Sequence, residues 1–107
     1  TYNIGGENEL TNIELVHLIC EKIAQINNKG RDYYKKLIKY VKDRPGHDRR
    51  YAINCNKIKS RLGWKQSFDF NKGLDKTIEW YINNQKWIND ITSGEYRKWI
   101  EKNYGER

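Results

Sequence analysis

Apolar residues return every three or four positions along the first third of the chain. Ile13, Val16, Ile19, Cys20, Ile23 and Ile26 share one face of a 3.6-residue turn, so the spacing predicts an amphipathic helix. Ahead of it, Thr11-Asn12-Ile13-Glu14 is a capping box: the threonine side chain bonds the Glu14 amide and the glutamate reaches back. Asn27-Asn28-Lys29-Gly30 supplies the stop. A second stripe, Leu74, Ile78, Tyr81 and Ile82, predicts a helix capped by Asp69 or Asn71 and ending near Asn83-Asn84. A last helical stretch starts at about Ser93 and puts Tyr96, Trp99 and Ile100 on one side. Asn54 or Asn56 caps a small helix over residues 57–62, with Gly63 as its left-handed terminator.

Strand-like patterning is confined to short runs. Residues 2–5, ended by Gly5-Gly6, residues 38–41 and residues 51–53 each read as a short strand, and residues 31–37 as a polar connection. Pro45 and Gly46 fix a turn, because proline sets φ and restricts Arg44 to extended conformations. The expectation is an α/β fold that is helix-dominated. Its short strands are too scattered for a sheet of their own and complete one supplied elsewhere.

At 107 residues the chain is one domain at most, and a chain of this size buries only about 65% of its unfolded surface. Charged residues make up 33%, above the usual roughly 25%, while 13% aromatics argue against disorder. No apolar run approaches the roughly 20 residues a bilayer requires, and the start lacks the layout of a signal peptide. A cytoplasmic protein with no membrane partner is therefore expected. Cys20 and Cys55 form no CxxC pair, so neither a disulfide framework nor zinc spacing is present; both thiols are expected reduced, Cys20 on a helix face and Cys55 at the edge of a turn. The absence of methionine and the opening on a strand-like run suggest a piece of something larger.

The formal charge is +7, and it is unevenly placed. Residues 1–30 carry two Lys against four Glu, whereas residues 31–50 carry eight basic and three acidic groups, so the loop around Pro45 expects an anion. Scattered residues such as Lys57, Lys59, Lys76 and Lys98 read as a solvated face. A nucleic-acid module would also be basic and aromatic-rich, but Trp64, Trp80, Trp87 and Trp99 sit at helical or helix-end spacing and read as core.

No reaction centre is visible. There is no P-loop and no G-x-G-x-x-G, and no tyrosine is followed four residues later by lysine. His17 lies inside the first helix, and His47 has only Asp48 and arginines beside it, so neither a nucleophile–base pair nor a metal cluster forms. No catalytic residue and no metal ligand is assigned. What remains is Arg44-Pro45-Gly46-His47-Asp48-Arg49-Arg50. Guanidinium forks match phosphate oxygens, the Pro-Gly turn brings backbone close to a ligand, and His47 and Asp48 can hydrogen-bond a sugar or base. The segment suits a nucleotide diphosphate; the alternative is a structural turn with exposed arginines.

That segment, continued by Tyr51-Ala52-Ile53, then Lys57-Ile58, Leu62-Gly63-Trp64 and Thr77-Ile78-Glu79-Trp80-Tyr81, resembles the C-terminal part of the dTDP-glucose 4,6-dehydratases. These are extended short-chain dehydrogenase/reductases. Tyr2-Asn3-Ile4-Gly5-Gly6, Asn12, Trp99-Ile100-Glu101 and Asn103-Tyr104 match as well, so the resemblance spans essentially the whole chain. Arg-Pro-Gly alone is shared with UDP-sugar epimerases and decarboxylases; His-Asp-Arg-Arg-Tyr-Ala is more specific.

The resemblance implies that residues 1–107 are the small nucleotide-sugar-binding C-terminal subdomain of an extended Rossmann-type dehydratase. In such an enzyme, NAD on an N-terminal Rossmann domain takes hydride from C4 of the glucosyl group, water leaves across C5 and C6, and hydride returns to C6. The product, dTDP-4-keto-6-deoxyglucose, feeds deoxysugar pathways such as rhamnose synthesis. The family's Tyr-x-x-x-Lys and Asp-Glu pairs belong to an earlier part of the chain, so this piece is expected to bind no cofactor and to be inactive alone. The implied partners are dTDP-glucose, the Rossmann domain and a second copy in a homodimer, with no nucleic acid. Carried over by motif, Asn12 would touch the phosphates, or simply cap beside Thr11. Arg44, with Pro45 and Gly46 shaping its turn, would pair with a phosphate or the nucleoside. His47 would contact the nucleotide, Asp48 would contact it or brace the loop with Arg49, and Tyr104 would close over the ligand or pack the last helix. Two positions depart from the family: Gln66 stands where proline is common after Leu-Gly-Trp-Lys, and Asn54 replaces an acidic residue after Tyr-Ala-Ile.

Overall fold

The computed structural model describes residues 1–104 and consists of helices joined by irregular segments. Helix α1 (Asn12–Ile26) starts on the capping box, with Thr11 accepting from the Glu14 amide at 3.3 Å and the Glu14 carboxylate accepting from the Thr11 amide at 2.7 Å. Its end is a Schellman motif centred on Asn28, not on Gly30. Asn28 takes φ 52, the Lys29 amide donates to the Ala24 carbonyl at 2.8 Å, and the Asn28 amide donates to Gln25 at 3.2 Å. The polar connection then contains a single 3-10 turn, Lys35–Leu37.

Helix α2 (Asn56–Leu62) starts after Cys55, and Asn54 supplies the side-chain acceptor, taking the Asn56 amide at 2.9 Å. Gly63 ends it at φ 62, the left-handed conformation that favours glycine. Helix α3 (Phe70–Asn83) is capped by Asp69, whose Oδ1 accepts from the Lys72 amide at 2.9 Å. Helix α4 (Gln85–Thr92) fills the stretch between the two C-terminal helices that the sequence predicts, and α5 (Glu95–Tyr104) follows. Asn84 and Gln85 turn their side chains back onto the Trp80 and Tyr81 carbonyls at 2.7 and 3.0 Å, satisfying the last turn of α3 as the chain re-enters helix. The signal for α4 was present in Trp87, Ile88 and Ile91.

The expected short strands do not form: residues 2–5, 38–41 and 51–53 are irregular, and no strand occurs among the described residues. Residues 2–5 and 51–53 do lie side by side, since a Cβ on Gly5 would come within 3.0 Å of Ile53 Cβ. A strand, however, exists only as a hydrogen-bonded ladder, and these runs find no ladder partner here. The structure is therefore helix-dominated, not α/β within itself.

The chain forms two compact units, Thr1–Gly73 and Leu74 onward, with α3 running across the boundary. Ala24, Cys55 and Ile58 are the buried residues of the first unit. Cys55 is wholly enclosed, not at a turn edge, and both cysteines are free thiols. In the second unit Ile78 is buried and α4 packs on α5. Trp80, Trp87 and Trp99 are about half exposed, against the expectation of core, and Trp64 is half-buried. They pack on other aromatics: Trp80 meets Trp87 edge-on at 5.1 Å and Tyr96 stacks on Trp99 at 6.1 Å. No helix among the described residues is long and apolar enough to cross a membrane.

Candidate functional site

Within the first unit, two segments enclose an open cleft of about 850 Å3. Residues 8–12 with Glu14 form one side; Asp43 and residues 47–51 form the other. That volume lies within the range of small-ligand pockets, roughly 300–1,000 Å3.

The first side is a strap held by its own backbone constraints. Gly5 is pressed against Ile53, and a Cβ on Gly6 would come within 3.3 Å of Gln66 Nε2. Glu7 takes φ 54, unfavourable for a residue with a Cβ. Its carboxylate compensates by meeting Lys59 Nζ at 2.8 Å and accepting from the Cys55 thiol at 3.4 Å. These two hydrogen bonds hold the Glu7 carboxyl below the usual carboxylate range, Lys59 contributing more. The strap is thereby fixed to α2 and delivers residues 8–12 to the cleft. At its end, the capping box occupies Glu14, whose carboxyl is likewise lowered, first by the Thr11 amide.

The second side is organised by a type II turn. The His47 amide donates to the Arg44 carbonyl at 3.3 Å, Pro45 sets φ at the second position, and Gly46 supplies φ 69 at the third. A Cβ on Gly46 would meet nothing within 4 Å, so the glycine serves the turn's conformation, not a close approach. Asp43 Oδ1 accepts from the Arg44 amide at 3.0 Å and pairs with His47 Nδ1. Asp48 Oδ2 accepts from the Tyr51 hydroxyl at 2.8 Å. Arg50 reaches across to Glu9, Nη2 to Oε2 at 3.0 Å, and ties the loop to the strap.

Every carboxylate of the cleft therefore has a partner: Glu9 with Arg50, Glu14 with Thr11, Asp43 with His47 and Asp48 with Tyr51. Among the described residues, the guanidinium groups of Arg44 and Arg49 have no such carboxylate. Hydrogen bonds from neutral groups do not discharge these carboxylates, so what the cleft offers an anion is local: the first-turn amides of α1 and the guanidinium of Arg49, with Arg44 beside it.

Of the residues singled out from sequence, Asn12, His47 and Asp48 line this cleft. Arg44, Pro45 and Gly46 form the exposed turn beside it and are not part of its wall. Tyr104 ends α5, and its side chain lies outside the described residues. Sequence reasoning passed over Glu9 and Asp43, and it took Arg50 with the loop's guanidinium groups without a carboxylate partner. Asp43 was detectable from its spacing of four to His47 across a Pro-Gly turn; the Glu9–Arg50 pair, joining positions far apart, left no local trace. No group of three or more potential metal ligands occurs among the described residues.

The chain is a member of the GDP-mannose 4,6 dehydratase family, whose model matches residues 1–77. Its similar curated relatives are dTDP-glucose 4,6-dehydratases. It is 51% identical to dTDP-glucose 4,6-dehydratase 1 of Escherichia coli (strain K12) over all 107 residues, and 47% identical to that of Neisseria meningitidis serogroup B over 100 residues, 91% of the chain. The chain spans about 29% of the length of the first and 28% of the second. The 2.9 Å crystal structure of dTDP-glucose 4,6-dehydratase from Bacillus anthracis in complex with NAD matches with a TM-score of 0.62 at 46% identity, covering 80% of this chain and 24% of that one.

The residues present do not fit NAD. A dinucleotide loop uses glycines so that a helix N-terminus can approach the pyrophosphate. Here the adjacent pair Gly5-Gly6 faces Ile53 and Gln66 instead, and five residues separate it from α1.

Proposed function

We propose that this chain is the C-terminal, nucleotide-sugar-binding part of a longer dTDP-glucose 4,6-dehydratase, and that the cleft between residues 8–12 and 47–51 receives the dTDP diphosphate. The observation that carries the reading is the guanidinium of Arg49 in the cleft wall and that of Arg44 beside it, neither held by a carboxylate among the described residues, facing the N-terminus of α1. Asn12 and the first-turn amides of α1 meet the diphosphate, where the helix dipole favours negative charge. Arg44, at the turn beside the cleft, reaches a phosphate or the nucleoside; His47 contacts the nucleotide, and Asp48, held by Tyr51, braces the loop. Tyr104 is assigned to the ligand by the resemblance alone. In the whole enzyme, NAD sits on an N-terminal Rossmann domain of the same polypeptide, which supplies the hydride chemistry and the acid/base residues. That enzyme is cytoplasmic, homodimeric and bound to neither membrane nor nucleic acid, and its 4-keto-6-deoxyglucose product supplies deoxysugar synthesis.

Calorimetric titration of the chain with dTDP tests the reading. The expected result is saturable binding that weakens at least tenfold in Arg44→Ala. Oligonucleotide binding that falls steeply with salt and ignores both free dTDP and Arg44→Ala would mark a nucleic-acid module instead. If the full-length enzyme left dTDP-glucose unchanged and acted on a UDP-sugar, an epimerase or decarboxylase relative would take its place.

A further inference from the structure

His47 is the one cleft residue whose ring has two chemically distinct faces for binding. Its Nδ1 side is taken by Asp43 from four residues earlier, across the Pro45–Gly46 turn. The same Asp43 oxygen accepts the Arg44 amide at 3.0 Å, so the carboxylate cannot swing away without losing a backbone bond. Both residues line the cleft. The other acidic groups facing this loop are engaged elsewhere: Glu9 from the strap with Arg50, Glu14 from α1 with Thr11, and Asp48 with Tyr51. Lys42, Arg44, Arg49 and Arg50 are the cations nearest in sequence to the pair. Asp43 is thus the carboxylate committed to the imidazole.

We infer that Asp43 is a positioning residue: it binds the Nδ1–H of His47, fixes the ring's tautomer and orientation, and leaves Nε2 as an acceptor for a donor of a nucleoside diphosphate in the cleft, a sugar hydroxyl or a base N–H. The reasoning is donor accounting. An ionised carboxylate can only accept, so the ring nitrogen against it must carry the proton, and the free lone pair of neutral imidazole falls on Nε2. The His47 hydrogen bond, more than any other influence, holds the Asp43 carboxyl below the usual range. Without the carboxylate, neither tautomer is selected and the ring can rotate, so a ligand must order it on binding.

This inference rests on the nucleotide reading only for its ligand, and the test separates the two. The chain contains only His17 and His47, so a long-range 1H–15N spectrum at pH 8 assigns the His47 ring by its loss in His47→Ala. The expected spectrum, recorded without ligand, has the proton on Nδ1, and Asp43→Ala moves it toward the Nε2–H form. An unchanged spectrum in Asp43→Ala overturns the inference whether or not dTDP binds. With dTDP, Asp43→Ala should weaken binding on the order of tenfold, and Asp43→Ala/His47→Ala should bind no more weakly than His47→Ala. Additive losses would show that Asp43 acts on the turn and not through the ring, and would also overturn it. If Asp43→Ala does not fold, the spectrum of the unmodified chain carries the test alone, and a ring proton found on Nε2 and not on Nδ1 overturns the inference. Failure of the unmodified chain to bind dTDP, with the tautomer response intact, would count against the nucleotide reading and leave the Asp43–His47 coupling standing.

Discussion

In residues 1–73 several polar contacts join segments well separated in sequence: Glu7 to Lys59, Glu9 to Arg50, Glu21 to Lys35 and Arg31, and Lys57 to the Thr1 carbonyl. In residues 74–104, Asn84 to the Trp80 carbonyl, Gln85 to Tyr81, Lys86 to Asp90 and Thr92 to Ile88 each lie within a helical turn. The first region needs long-range ties because its functional groups sit on irregular backbone, which has no ladder or helix to hold it. The second is largely helix, and its side chains complete carbonyls that the helix ends leave open. A cleft built from loops is thus only as firm as the ion pairs and the small buried core beneath them.

The most forceful way to break this contrast is to remove that core. Ile58, 5% exposed on α2, lies on the helix that carries Lys59, the anchor of the Glu7 strap. Ile58→Ala should cost about 2–4 kcal/mol, read from the urea midpoint. Amide exchange should then rise along residues 7–12 and 47–51. A strap that stayed protected would mean the cleft is held by something other than α2.

Acid tests the ties more gently. The carboxyls of Glu7, Glu21 and Asp43 are all lowered, chiefly by hydrogen bonds from Lys59, Lys35 and His47 respectively. A carboxyl with a depressed folded-state pKa contributes stability above its unfolded pKa, about 4, and loses it as pH falls through the folded value. Stability of the first region should therefore be level above pH 5 and decline progressively below pH 4. Exchange protection of residues 7–12 measured across that window checks it, and a decline beginning above pH 6 would contradict the assignment. The smallest effect belongs to the second region. Lys86→Ala removes an exposed pair at 2.8 Å and should cost only about 0.2–0.5 kcal/mol by thermal unfolding. A loss above about 1 kcal/mol would show that the local contacts of α4 carry more than the helix itself requires.

What could be read from the residues alone follows the range over which each signal acts. The capping box, the stripe of α1, the Asp69 cap of α3 and the left-handed Gly63 are written within three or four positions, and all are present in the structure. The Arg-Pro-Gly turn and the family itself were equally legible, because a motif is a local string. The expected strands failed for the opposite reason: alternation states what a residue suits, but a strand also needs a partner backbone. Likewise the tryptophans had helical spacing but are half exposed, since spacing selects a face and not what covers it. Only the tertiary structure closed a cleft between residues 8–12 and 47–51, paired Glu9 with Arg50, and set Glu7 at positive φ against Lys59. Those arrangements depend on distance in space between groups about forty or fifty positions apart, which no local pattern encodes.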